Sequence, residues 1–177
     1  HITLYILDIG GGSTELIHWQ DRHIQFLKSL NLGVVHLTRS HLKSDPPTVA
    51  EIDAASSYLA DLFRSEYPLL SKGNLVAIGG TATTAYCLAN NLTDYDPNAV
   101  EGGILYLAQL ENLFAQMSVL TNQQRSVQFG LPAGRVDVFL AGLLILIEEV
   151  KHLGLKQIRV SDRGLRYGVL EELKRQF

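Results

Sequence analysis

The stretch LDIGGGSTEL, residues 7–16, constrains this chain more than any other. An apolar, β-branched run over residues 2–9 reads as a buried strand that stops at Gly10, Gly11 and Gly12. Residues 15–20 and 23–30 read as two further short strands, with Asp21 and Arg22 as a hairpin turn between them. Glycines tolerate positive φ and close backbone approach, and consecutive N–H groups in such a turn make a concave nest for phosphate oxygens. The pattern is not a dinucleotide fingerprint, because Glu15 stands where the third glycine belongs and a strand follows. Nor is it a Walker A loop, since no Gly-Lys-Ser/Thr follows. Asp8 and Glu15 would repel bare phosphate, but they suit a divalent cation held between them, or the orienting of a water. A glycine-rich hairpin is also a common structural turn, so the rest of the chain has to decide.

Two more glycine turns follow strands: AIGGTAT after residues 75–78 and VSDRGL after residues 158–160. In open α/β sheets ligands collect at the carboxyl ends of strands, so the three turns can converge on one site. Gly80 and Thr81 would open a helix whose unpaired N–H groups suit a second anion. Gly33 begins a short helical stretch broken by LKSDPP. Thr48 with Glu51 forms a capping box ahead of Ile52, Ala55, Leu59 and Leu62, and Thr121 with Gln124 forms another. NNLTDYDPN reads as a loop before a helix over residues 105–117. Residues 134–152 should be the most buried helix, with Val136, Leu140, Leu143, Leu144 and Ile147 as its stripe. A final helix would carry Leu165, Val169, Leu170 and Leu173. The order predicts an α/β domain with a mixed five-stranded sheet flanked by helices.

A formal net charge of -3 supplies no field for nucleic acid or an anionic membrane, so a polyanion would have to be bound locally. The apolar run over residues 138–147 is too short to cross a bilayer and reads as buried helix. The single cysteine, Cys87, excludes an internal disulfide and fits a cytoplasmic setting. It sits in a helical apolar stretch, as an inert buried thiol would. His18, His23, His41 and His152 lack metal-ligand spacing and read as surface or packing residues. The chain carries no secretory pattern, and His1 leads straight into a strand, which predicts a fragment of something longer.

Five collinear segments, ILDIGGGSTEL, SLNLGVVHLT, AIGGTATT, LPAGRVDVFLAGLLIL and VSDRGLRYGVL, together resemble the second domain of the exopolyphosphatase/guanosine pentaphosphate phosphohydrolase (Ppx/GppA) family. The family belongs to the actin-like ATPase superfamily. The resemblance implies a ribonuclease H-like fold and a site in the cleft between two lobes. It implies removal of terminal phosphate from inorganic polyphosphate or guanosine pentaphosphate with Mg²⁺, or, as the alternative, a non-catalytic sensor of guanosine polyphosphate. Carried over by position, Asp8 and Glu15 become the catalytic, metal- or water-positioning carboxylates. Gly10, Gly11, Gly12, Ser13, Gly80 and Thr81 become phosphate ligands, with Arg135 and His36 as further candidates. For Arg135 a salt bridge to Asp137 or another carboxylate is an equal alternative. Val34 and His36 stand where many members carry cysteine and a basic residue, and Gly134 replaces a commoner acidic one. The general base and the first phosphate loop are expected upstream, in an N-terminal lobe of the same protein. A homodimer of the full-length protein is a further expectation, with neither nucleic acid nor membrane as a partner.

Overall fold

The computed structural model describes residues 3–67, 73–164, 167, 168, 170 and 174. Three strands open the chain: β1 (Thr3–Ile9), β2 (Thr14–Gln20) and β3 (His23–Leu30). They form an antiparallel meander, turned between β2 and β3 at Asp21 and Arg22, both with positive φ. Helices α1 (Val34–Ser40) and α2 (Val49–Glu66) then lead to β4 (Asn74–Ile78), which pairs parallel to β1. Helix α3 (Gly79–Ala89), the short α4 (Pro97–Val100) and β5 (Ile104–Tyr106) follow. The rest is α5 (Leu107–Ser118), α6 (Asn122–Phe129), α7 (Ala133–His152) and β6 (Gln157–Ser161).

The sheet is mixed, as the sequence predicts, but it has six strands rather than five, in the order β3-β2-β1-β4-β6-β5. The extra strand lies inside the expected helix over residues 105–117. Ile104 to Tyr106 pair antiparallel with β6, and Gly102 and Gly103 exchange backbone bonds with Val160 to start the ladder. The run ILYLAQLENLF opens with five consecutive apolar residues, Ile104 to Ala108, so periodicity cannot show where strand gives way to helix. Gly103 is required there: a Cβ would lie 2.3 Å from the Tyr86 ring. Asp96 caps α4 within the stretch expected to be loop.

Both capping boxes form, at Thr48–Glu51 and Thr121–Gln124. Alternation along the strands puts Tyr5, Leu7, Ile9, Leu16, Leu75, Ala77, Ile158 and Val160 in one buried cluster with the helices. Asp8 and Glu15 therefore point to the other face. Helix α7 is buried on every side from Phe139 to Ile147, beyond the expected stripe, because α1, α2, α3, α5 and α6 all pack around it. Each such leucine contributes roughly 1.5–3 kcal/mol by leaving water. No single helix among the described residues is long and apolar enough to cross a membrane. Of the expected final helix, Leu165, Val169 and Leu173 lie outside the described residues, while Leu170 is exposed.

Candidate functional site

The register of the meander places Asp8 on β1 opposite Glu15 on β2, and Glu15 opposite Ser29 on β3. Directly paired residues share a face, so the three side chains form a polar row at one end of the sheet. Burial pushes the Asp8 carboxyl above its ordinary value, and the nearby Glu15 charge adds to the push. Ser29 Oγ donates to Glu15 Oε1 at 2.7 Å. Two carboxylates in register on one face, with no ion-pair partner among the described residues, offer hard oxygen ligands for a divalent cation.

The triple-glycine turn closes on itself and on α1. Gly10 N–H donates to Ser13 O at 2.9 Å, while the carbonyls of Gly10 and Gly11 accept from Val34 and Val35 at 3.0 Å. One expectation is corrected here: the Gly10 N–H is spent inside the turn. Within the turn, the N–H groups of Gly11, Gly12 and Ser13 have no hydrogen-bond partner among the described residues. The approach of α1 needs Gly33, because a Cβ there would sit 2.3 Å from Gly11 O.

The second turn is already helical: α3 starts at Gly79, two residues before the expected Thr81. Gly79 has φ +82, and a Cβ on it would meet Asp8 Oδ1 at 2.7 Å, so the two turns touch through this residue. Arg135, in the first turn of α7, crosses to α3 and donates from Nη1 to Thr84 Oγ1 at 2.6 Å. It does not pair with Asp137; residues two apart point to different sides of a helix, and Asp137 lines a separate cleft beside Arg125. A cavity of about 150 Å³ is lined by Gly10, Gly11, Gly80, Thr81 and Arg135, together with Val34 and Gly134. A neighbouring one of about 470 Å³ shares Gly80 and Arg135 and adds Gly79, Thr83, Tyr95, Asp162 and Gly164. The three glycine turns thus meet, with Arg135 between the two cavities.

His36 stands apart. It is exposed on α1, close enough to His41 to help lower that imidazole's pKa, after the larger effect of burial. Ser29, Thr84, Tyr95 and Asp162 are not among the residues expected at the site, and Gly33 and Gly79 were expected only as the start of a helical stretch and part of a turn. Asp162 had a signal in VSDRGL, whereas Tyr95, whose hydroxyl bonds Asp162, came from a loop without one. A larger cavity of about 710 Å³ lies among the ends of α3, α5 and α6. Its lining is apolar groups, carboxamides, the Thr93 hydroxyl and Cys87, whose thiol pKa burial raises, and no lysine or arginine lines it to meet phosphate. Size and chemistry point to different places, and the chemistry decides.

A sequence profile of the Ppx/GppA phosphatase family matches residues 3–177. Exopolyphosphatase 2 of Mycobacterium tuberculosis is 29% identical over 171 residues, covering 93% of this chain and 53% of that protein. The guanosine-5'-triphosphate,3'-diphosphate pyrophosphatase of Pseudoalteromonas atlantica is 28% identical over 179 residues, covering 96% of this chain and 34% of that protein. The crystal structure of the Aquifex aeolicus member of the Ppx/GppA family superposes with a TM-score of 0.90 at 33% identity, over 99% of this chain and 57% of that one. The chain spans about half the length of the exopolyphosphatases it matches. Its mixed sheet and flanking helices are the actin-like ATPase fold of those structures. With the glycine turns and the carboxylate pair set in that fold, and the profile matched over nearly the full length, the chain belongs to the Ppx/GppA phosphatase family.

Proposed function

We propose that this chain is the second lobe of a two-lobed cytoplasmic hydrolase. The enzyme removes terminal phosphate from inorganic polyphosphate or guanosine pentaphosphate, with the scissile group bound where the three glycine turns meet. The observation that carries the reading is the Asp8–Glu15 pair in register beside the cavity lined by Gly10, Gly11, Gly80, Thr81 and Arg135. The names of the relatives support the two substrates.

The N–H groups of Gly11, Gly12 and Ser13 bind phosphate oxygens without moving, because the turn is fixed by Gly10, Val34 and Val35. Arg135 adds a cation at the mouth of α3. Asp8 and Glu15 fit Mg²⁺, an ion that takes one or two protein carboxylates and completes its shell with water and substrate phosphate. Bound there, Mg²⁺ would neutralise charge on the phosphates as the bond breaks. Asp8 and Glu15 hold that charge in place, and Glu15 orients water toward the terminal phosphorus. The general base comes from the preceding lobe, which closes over this face; the full-length protein forms a homodimer.

The test is phosphate release by the full-length protein from polyphosphate and from guanosine pentaphosphate. Release should need Mg²⁺, stop with EDTA, and fall about 10²-fold in Asp8→Asn. Release that ignores Mg²⁺ and survives Asp8→Asn would overturn the reading.

A further inference from the structure

We propose that Ser29 is a positioning residue for the reaction, acting through Glu15. The inference rests on the hydrolase reading above and goes beyond it by assigning the group that aims the carboxylate. Glu15 Oε1 accepts the Ser29 hydroxyl at 2.7 Å, the one hydrogen bond made by this carboxylate among the described residues. The bond follows from register: Ser29 lies directly opposite Glu15 on β3, and Glu15 directly opposite Asp8 on β1. A glutamate left alone samples several rotamers, and ordering it costs conformational entropy. One charge-assisted bond from a neighbouring strand removes that freedom, leaving the second oxygen, Oε2, for cation or water. Ser29 also offsets the repulsion that would swing Glu15 away from Asp8.

Ser29 is exposed on an edge strand and fills no part of the core, so a purely structural role gives it little to do. Among the described residues its side chain bonds only to Glu15, which separates it from Thr14, whose hydroxyl is buried and spent on Leu32 O at 2.6 Å.

The experiment compares Ser29→Ala, Ser29→Thr, Glu15→Gln and Ser29→Ala/Glu15→Gln in the full-length protein, by phosphate release from polyphosphate across a Mg²⁺ titration. Ser29→Ala should lower kcat about ten-fold, the scale of one hydrogen bond to a charged group, with KM changed less than about two-fold. The Mg²⁺ concentration for half-activation should rise. Ser29→Thr keeps a hydroxyl on a strand position and should restore most of kcat. In the Glu15→Gln background, Ser29→Ala should add almost nothing, because its target is gone. If Glu15→Gln is impaired while Ser29→Ala is not, Ser29 is dismissed and the hydrolase reading stands. Equal losses in Ser29→Ala and Ser29→Thr would assign the effect to packing and overturn the proposal. Full activity in Glu15→Gln would remove Glu15 from the chemistry, and Ser29 with it.

Discussion

At the scale of single residues, backbone clearance and buried charge give the sharpest expectations. Gly33 allows α1 to lie against the triple-glycine turn, and the atoms a Cβ would strike are the backbone of Gly11 and Gly12, which cannot rotate aside. Gly33→Ala should therefore destabilise the protein by about 1–3 kcal/mol, the range for overpacking, and displace the turn. Denaturant unfolding measures the first effect; an unchanged midpoint would mean that α1 and the turn part without cost. Glu149 is fully buried on α7, and among the described residues neither of its oxygens nor the nearby Tyr67 hydroxyl has a hydrogen-bond partner. Burial pushes this carboxyl from 4.5 up to about 8. Below 4.5 it is protonated in both folded and unfolded chains and costs nothing electrostatically. Between there and about 8 the unfolded chain releases its proton while the folded one keeps it, so stability drains away as pH rises. Glu149→Gln does not titrate, so its melting temperature should gain on the parent from pH 5 to pH 9. A constant difference across that range would show that Glu149 is solvated or paired.

At the scale of elements, the sequence was most legible where local chemistry and tertiary packing agree. Thr48–Glu51 and Thr121–Gln124 were readable because a capping box satisfies its own N–H groups, whatever packs beyond it. Helix α7 was readable because its apolar run is long. Strand β5 was not, since its three residues are extended only by pairing with β6, some fifty positions later. The glycine run marked a turn and raised the expectation of an anion nest, but could not show that Gly10 bonds to Ser13, nor that Gly79 touches Asp8. Those details come from register, which only the folded sheet fixes. The turn's remaining N–H groups make a further prediction. A crystal of the full-length protein soaked in phosphate should show an anion within hydrogen-bond reach of Gly11, Gly12 or Ser13. An anion bound only at Arg135, with the turn bare, would contradict the nest.

At the scale of the whole molecule, the chain accounts for about half of the exopolyphosphatases it matches, and its polar row and cavities open at one end of the sheet. Its core, centred on α7, is continuous across the described helices and strands, so these residues should fold by themselves. Catalysis is another matter. A general base is worth typically 10²–10⁴-fold, and lobe closure adds positioning and excludes water. The decisive measurement is phosphate release from polyphosphate and guanosine pentaphosphate by residues 1–177 and by the full-length protein, side by side with Mg²⁺, after a melting curve shows both folded. The account predicts turnover by the full-length protein and none by the lobe alone. Robust, Mg²⁺-dependent turnover by the lobe would contradict it, because the base would then lie within these residues.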